Sequence, residues 1–400
     1  MLKEMKRLDI RPLVMNHSNV WDATYSELAT NSLETGSLEQ KNKSFALCTK
    51  GELCEEDLYS KKVKLSHFEI LKVIGRGSFG KVFLVKHIKS GQWYAMKSVR
   101  KENLKSTKEK INWIIERTIL EKVDSHFIVR LHFAFQTPDK VYYVVDYMQG
   151  GDLCYHMQRN HKLNEKRTKF YIAEWILALH DMHGRSIVYR DLKLENIMLD
   201  HEGHLRITDF GLCRLGINKE NMAYSFVGTP EYLSPEVIKG TGYDQETDWW
   251  SLGCIMAEML MGRSPFYHKN QEKVLENILF KDIDLKDIYS TKARDLVQQL
   301  LNRDPNKRLG SKDGAIELMQ HPFFKDIDWK KLSKKQVIPP YKPKVKNNTC
   351  VKYFSQEYAE EEPHDSLVCS NLTTAQKKEN HFDQFTYGQE QGVLAQNNLM

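Results

Sequence analysis

The sequence predicts an α+β protein in two lobes, a small and mainly antiparallel β lobe with one helix, followed by a larger and mainly helical lobe. Three observations lead there. Strand patterns dominate from Phe68 to Val145, with a single helical stretch among them at Lys108–Val123. Helical patterns then take over, at Glu165–Met182, Glu246–Met261, Gln271–Phe280 and Thr291–Leu301. Between the first two of these helices lie two short polar segments, around Asp191 and Asp209, expected to face the cleft between the lobes.

Taken in order, residues 1–67 are rich in Ser, Thr, Asn and charge without a sustained period, which reads as a mostly disordered extension. Phe68-Glu-Ile-Leu-Lys-Val-Ile74 opens a folded domain expected over 68–324, with a tail over 325–400. Val82-Phe-Leu-Val85 and Trp93–Val99 read as strands. Before them stands Ile74-Gly75-Arg76-Gly77-Ser78-Phe79-Gly80-Lys81-Val82, whose glycines let backbone amides approach phosphate groups and let the turn take angles that other residues resist. The same glycine spacing opens a helix in dinucleotide-binding folds. Here a strand follows, so a hairpin lid over phosphates is the better reading.

Composition narrows the class. With 400 residues and 41% apolar content the chain can bury a sizeable core, and a formal charge of +6 from scattered lysines gives no nucleic-acid-binding stripe. No run approaches the ~20 apolar residues of a membrane helix, and the polar start lacks the apolar core of a secretion signal. Seven cysteines without a Cys-x-x-Cys fit reduced thiols, with Cys213 read as a packing residue. The expected compartment is the cytoplasm, with the nucleus second.

Chemistry concentrates in Asp191-Leu-Lys193-Leu-Glu195-Asn196, followed by Asp209-Phe-Gly211. Asp191 suits a carboxylate that orients an attacking hydroxyl and accepts its proton, and Lys193 can spread charge on a phosphoryl group in transfer. Asn196 and Asp209 offer the oxygen ligands that Mg2+ prefers. Together with the glycine segment this resembles the active-site signature of a protein kinase, and the resemblance implies the bilobal protein kinase fold, ATP and Mg2+. It assigns Lys97, in Tyr94-Ala-Met-Lys97, to the α- and β-phosphates, with Glu116 as its partner on the helix. Asp146-Tyr-Met148 becomes the hinge whose backbone binds adenine, and Val145 a small gatekeeper. By the same resemblance Asp248 caps the catalytic-loop backbone, and Glu236 pairs with Arg308.

Tyr189-Arg190-Asp191, Asp209-Phe-Gly-Leu-Cys213, Ser225-Phe-Val-Gly-Thr-Pro-Glu-Tyr232 and the tail segments Tyr353–Tyr358 and His381–Tyr387 narrow the resemblance to the AGC group of serine/threonine kinases. The likeness is to protein kinase B, serum- and glucocorticoid-regulated and ribosomal-protein kinases. It implies phosphosites at Ser225, held by Arg190 and Arg214, at Thr386 between docking aromatics Phe382, Phe385 and Tyr387, and at Ser366, which lacks a following proline. Asn112 stands where the group often has a histidine, weakening the phosphate's hold on the helix. Asp152, Glu195 and Glu258 are expected to select arginines of Arg-x-Arg-x-x-Ser/Thr substrates. A monomer acting on such proteins follows, with an upstream activating kinase of the phosphoinositide-dependent type as partner. The first 66 residues are too few for a lipid-binding domain of about a hundred residues. The rival reading is a pseudokinase scaffold or binding module, against which stand the intact Lys97, Asp191, Asn196 and Asp209.

Overall fold

The computed structural model describes residues 63–365 except 77–79 and 105, together with 381–382 and 385–388. The extension over 1–62 and Ser366 therefore lie outside the described residues. Residues 63–67 belong to the fold: a 3-10 turn at Leu65–His67 leads into the first strand, and Val63 and Leu65 pack on a core that includes Phe68, Phe83, Met96 and Phe133. The expected extension is shortened at its end, because two apolar side chains in that stretch have a surface to bury against.

In the small lobe, β1 (Phe68–Arg76), β2 (Gly80–His87) and β3 (Trp93–Arg100) run antiparallel and lead into α1 (Thr107–Lys122). The helix starts one residue earlier than its apolar pattern suggests because Ser106 caps it. Glu109 N donates to Ser106 Oγ at 3.2 Å, and Ser106 N donates to Glu109 Oε2 at 2.9 Å, which satisfies two otherwise orphaned amides. It ends one residue early because Val123 is already extended. After it come β4 (Leu131–Gln136) and β5 (Lys140–Asp146).

The large lobe follows as α2 (Leu153–Asn160), α3 (Glu165–His183), β6 (Ile187–Val188), β7 (Ile197–Leu199), β8 (Leu205–Ile207) and β9 (Arg214–Leu215). Short α4 (Pro235–Lys239) precedes α5 (Glu246–Met261), α6 (Gln271–Phe280) and α7 (Thr291–Leu300). Among the four long helices anticipated, α5 and α6 have the anticipated bounds, α3 gains His183, and α7 stops at Leu300 because Leu301 leaves helical geometry. All of α5 is buried except Glu258 and Met261, so this helix is the lobe's central post.

Lower in the lobe are α8 (Ala315–Gln320) and α9 (Trp329–Ser333), and the tail then carries α10 (Gln356–Ala359) and β10 (Tyr387–Gly388). The six-stranded sheet runs β1-β2-β3-β5-β4-β10, so the tail supplies an edge strand paired antiparallel with β4. Phe382 and Phe385 join the main core, which continues from α1 and β5 into α3, α5 and α7. At Gly203, with φ +101°, a side chain would run into the tail's Tyr341 carbonyl, so glycine is required where the tail crosses the large lobe. Among the described residues no helix is long and apolar enough to cross a membrane.

Candidate active site

Strand β3 holds Lys97 at the cleft and α1 brings Glu116 toward it. Lys97 Nζ donates to Glu116 Oε1 at 3.2 Å and to Asp209 Oδ1 at 3.4 Å, and lies 5.2 Å from the centre of the Trp113 ring. Burial pulls the lysine's pKa down, but the charges of Asp209 and Glu116 outweigh it and hold the ammonium above its ordinary range. The lysine lowers the pKa of Asp209 in turn. Both groups are thereby fixed as ions across the cleft.

The loop between β6 and β7 is suspended from α5. Buried Asp248 accepts from the backbone amides of Tyr189 and Arg190, each at 2.9 Å, and from His183 Nε2 at 2.8 Å. Arg190 and Asp209 take left-handed backbone angles, φ +70° and +58°, a strained choice for side-chain-bearing residues that the surrounding bonds must hold. Asp191 then presents its carboxylate to three groups. Lys193 Nζ donates to Oδ2 at 2.7 Å, Thr229 Oγ1 to Oδ1 at 2.7 Å, and Asn196 Nδ2 to Oδ2 at 3.1 Å. With its nitrogen committed to Asp191, Asn196 has its oxygen to offer a cation.

Ile74, Val82, Ala95 and Val145 form an apolar wall completed by Val351 and Phe354 of the tail. Tyr147 reinforces the join by donating its hydroxyl to Cys350 O at 2.8 Å and stacking on Phe354. Met148 is buried after β5. The Asp146 side chain turns behind the hinge to Arg130 N at 2.9 Å, His132 Nε2 at 2.8 Å and the Arg206 guanidinium, so this residue has backbone to offer a nucleotide. Burial, followed by Arg130 and Arg206, pushes the His132 pKa down to about 4, leaving a neutral ring that donates to Asp146.

Gly75 and Gly80 flank the loop, while Gly77, Ser78 and Phe79 lie outside the described residues. Arg76 and Lys81 are register partners on β1 and β2, and their side chains turn to Glu361 of the tail, at 3.3 Å and 2.6 Å. They too have backbone rather than side chains to offer at the cleft. An apolar slot, two ammonium groups and a carboxylate–amide pair suit a phosphorylated nucleotide with a hard divalent cation. Among the described residues no three His, Cys, Asp or Glu side chains converge into a metal cage, and Mg2+ needs only one or two protein oxygens beside phosphate and water.

The three expected selectors differ in circumstance. Glu195 is exposed, and Glu258 accepts the Tyr232 hydroxyl at 2.7 Å. Asp152 caps α2 by accepting from Tyr155 N at 2.6 Å, so one of its oxygens belongs to the helix. All three nevertheless bear on Cys154, whose thiol is pushed up to about 12 by burial and then by Glu195, Asp152 and Glu258. Sequence reasoning missed Glu231, which adds to the same acidic field, although it stands in the quoted Thr-Pro-Glu run.

Ser225 Oγ accepts from Arg190 Nη1 at 2.8 Å and lies 3.0 Å from the Tyr243 hydroxyl, a partner the sequence did not reveal. Arg214 stands opposite Val188 in the β6–β9 ladder. Thr386 is exposed between buried Phe385 and half-buried Tyr387. Phe385 stacks on Tyr143, and Gln136 grips Phe382 through both its backbone N and O, at 3.1 Å and 2.6 Å.

The Glu236–Arg308 pair is bidentate and buried, at 2.7 and 2.9 Å.

Comparison with known proteins fits this geometry. The family profile described as the protein kinase domain matches residues 68–324, and that of the protein kinase C terminal domain matches 345–387. The chain is 43% identical over 333 residues to Serine/threonine-protein kinase YPK1 of Saccharomyces cerevisiae, covering 83% of this chain and 48% of that protein. It is 45% identical over 337 residues to Protein kinase 2 of Dictyostelium discoideum, covering 83% and 70%. With Serine/threonine-protein kinase Sgk1 of Fundulus heteroclitus it shares 45% identity over 320 residues, covering 79% and 74%. The chain spans about half the length of the yeast relatives it matches.

Proposed function

Because the chain belongs to the protein kinase family, in its AGC serine/threonine group, we propose that it transfers the terminal phosphoryl group of ATP to serine and threonine hydroxyls of protein substrates. The observation that carries this reading is the pairing of Lys97 with Glu116 within the small lobe and with Asp209 across the cleft, beside that of Asp191 with Lys193 in the large lobe. Asp191 receives the proton of the attacking hydroxyl as its oxygen bonds to phosphorus and the bond to the leaving diphosphate breaks. Lys193 steadies the phosphoryl oxygens, and Lys97 holds the phosphates that stay behind. Asn196 and Asp209 would hold Mg2+, whose charge neutralises the phosphate oxygens when bound.

Glu195 and Glu258, with the remaining oxygen of Asp152, favour substrates of the type Arg-x-Arg-x-x-Ser/Thr. An upstream kinase of the phosphoinositide-dependent type modifies Ser225, whose phosphate pairs with Arg190 and Arg214 and orders the segment that receives substrate. Docking of Phe382 and Phe385 beside α1 supports a regulatory tail in which Thr386 is a second phosphosite. The protein works as a monomer in intracellular signalling, in the cytoplasm and the nucleus.

The test is transfer from labelled ATP with Mg2+ to an Arg-x-Arg-x-x-Ser peptide after priming Ser225, comparing the parent with Asp191→Asn. A loss of at least ~100-fold in kcat is expected for the variant, the scale of a removed general base. Absence of transfer by the primed parent despite ATP binding would favour the scaffold reading instead.

A further inference from the structure

The outer face of the small lobe carries an anion site that phosphoryl transfer does not use. It is built on adjacent strands: Ser98 of β3 stands opposite Tyr142 of β5, and Lys140 lies two residues before Tyr142. Residues two apart in a strand share a face, so the ammonium and the hydroxyls converge. Lys140, Tyr142 and Ser98 are 4%, 1% and 5% exposed. Donors so deeply placed favour a charged acceptor, because charge-assisted hydrogen bonds compensate their removal from water.

The tail supplies that acceptor. Asp365 Oδ1 accepts from Lys140 Nζ at 2.6 Å and from Ser98 Oγ at 3.4 Å, while Oδ2 accepts from the Tyr142 hydroxyl at 2.8 Å. The carboxylate is itself mostly covered, with its side chain 12% exposed. Burial, followed by the charge of Asp365 and the bond to it, holds the Tyr142 pKa well above its ordinary value, so the phenol stays a donor. Phe135 stacks on the Tyr142 ring and fixes its direction.

We propose that Asp365 is a built-in anchor, a side chain of the tail itself in the Lys140–Tyr142–Ser98 site that seats the tail on the small lobe without phosphorylation at the neighbouring Ser366. The anchor lies between two other attachments of the same tail, Glu361 on Arg76 and Lys81, and Phe382 with Phe385 in the core. Its role is to keep both in reach of their partners. The proposal goes beyond the catalytic reading and does not depend on it, since seating the tail requires neither ATP nor substrate.

The test is hydrogen exchange, followed by mass spectrometry, over segments 353–365 and 381–388 of the full chain, treated with phosphatase until its intact mass shows no phosphate. The dephosphorylated parent and Ser366→Ala should keep the parent's protection. Asp365→Asn should speed exchange in both segments by about tenfold, the change expected for loss of a charge-assisted bond. Tyr142→Phe, which keeps the ring, should act in the same direction over 353–365 with smaller effect. Parent-like protection in Asp365→Asn, or loss of protection in the dephosphorylated parent or Ser366→Ala, would overturn the proposal. Should Asp365→Asn not fold, unchanged exchange in Tyr142→Phe would overturn it as well.

Discussion

If the proposed preference for arginine-bearing substrates holds, Glu258 should link substrate choice to proton concentration. Burial raises its pKa to about 7, with Glu195 and Glu231 adding to the rise against the Tyr232 bond. Only the carboxylate form attracts a guanidinium, and that form is populated above the raised pKa. The KM of an arginine-bearing peptide should therefore climb as pH falls below 7, approaching tenfold per unit, while Glu258→Gln flattens the profile and weakens binding at pH 8. Steady-state kinetics from pH 6 to 8 check this, with an Arg→Ala peptide as control. Arg308 poses a stability question instead. Burial alone would raise the Glu236 pKa, but Arg308 outweighs it and holds it low, so the pair's contribution is present above the unfolded carboxylate pKa and is lost as pH falls through the lowered value. Arg308→Leu strands a buried carboxylate and should cost about 3–5 kcal/mol in urea unfolding at pH 7. At this scale the contacts of Lys97 with Glu116 and Asp209, and of Asp191 with Asn196, were legible because the family resemblance fixes those residue types and their order. Thr229 and Tyr243 were not, because a hydroxyl's role depends on what a distant part of the chain places beside it. The capping role of Asp152 was hidden for a related reason: a carboxylate before an apolar run fits both a cap and a selector.

Helices long enough to show a periodic apolar face were readable in the sequence, and their ends moved by a residue only where a cap such as Ser106 or an early extended residue such as Val123 decided. The two-residue strands β6, β9 and β10 have no period to read, and they exist because a partner strand is available. The most consequential element missed is the tail run through α10 to Glu361, which crosses to both strands of the glycine hairpin. Its acid bonds Lys81 at 2.6 Å and Arg76 at 3.3 Å, one on each side of the loop. Holding both strands limits how far the hairpin lifts. Glu361→Lys should raise the KM for ATP by about 3–10-fold, matching a pair worth about 1 kcal/mol, with the peptide KM unchanged. Adding Lys81→Glu should restore most of the loss. Equal KM values for ATP in parent and Glu361→Lys would show the loop is held by its own strands.

Across the whole molecule, the division into a β lobe and a helical lobe was evident from the change of period after Val145, and the core that joins them was not. That core runs from α1 and β5 through α3 and α5 and takes in Phe382 and Phe385, residues far along the sequence. Contacts of such long separation leave no mark in a local pattern. The path of the tail also bears on the cleft. It touches Gly203 of the large lobe, runs along the hinge at Tyr147, and then reaches the glycine hairpin and α1. The tail thus ties the hinge to the glycine hairpin. Lifting the hairpin to exchange a nucleotide would pull on that tie, so a tail held more firmly should slow the release of the spent nucleotide.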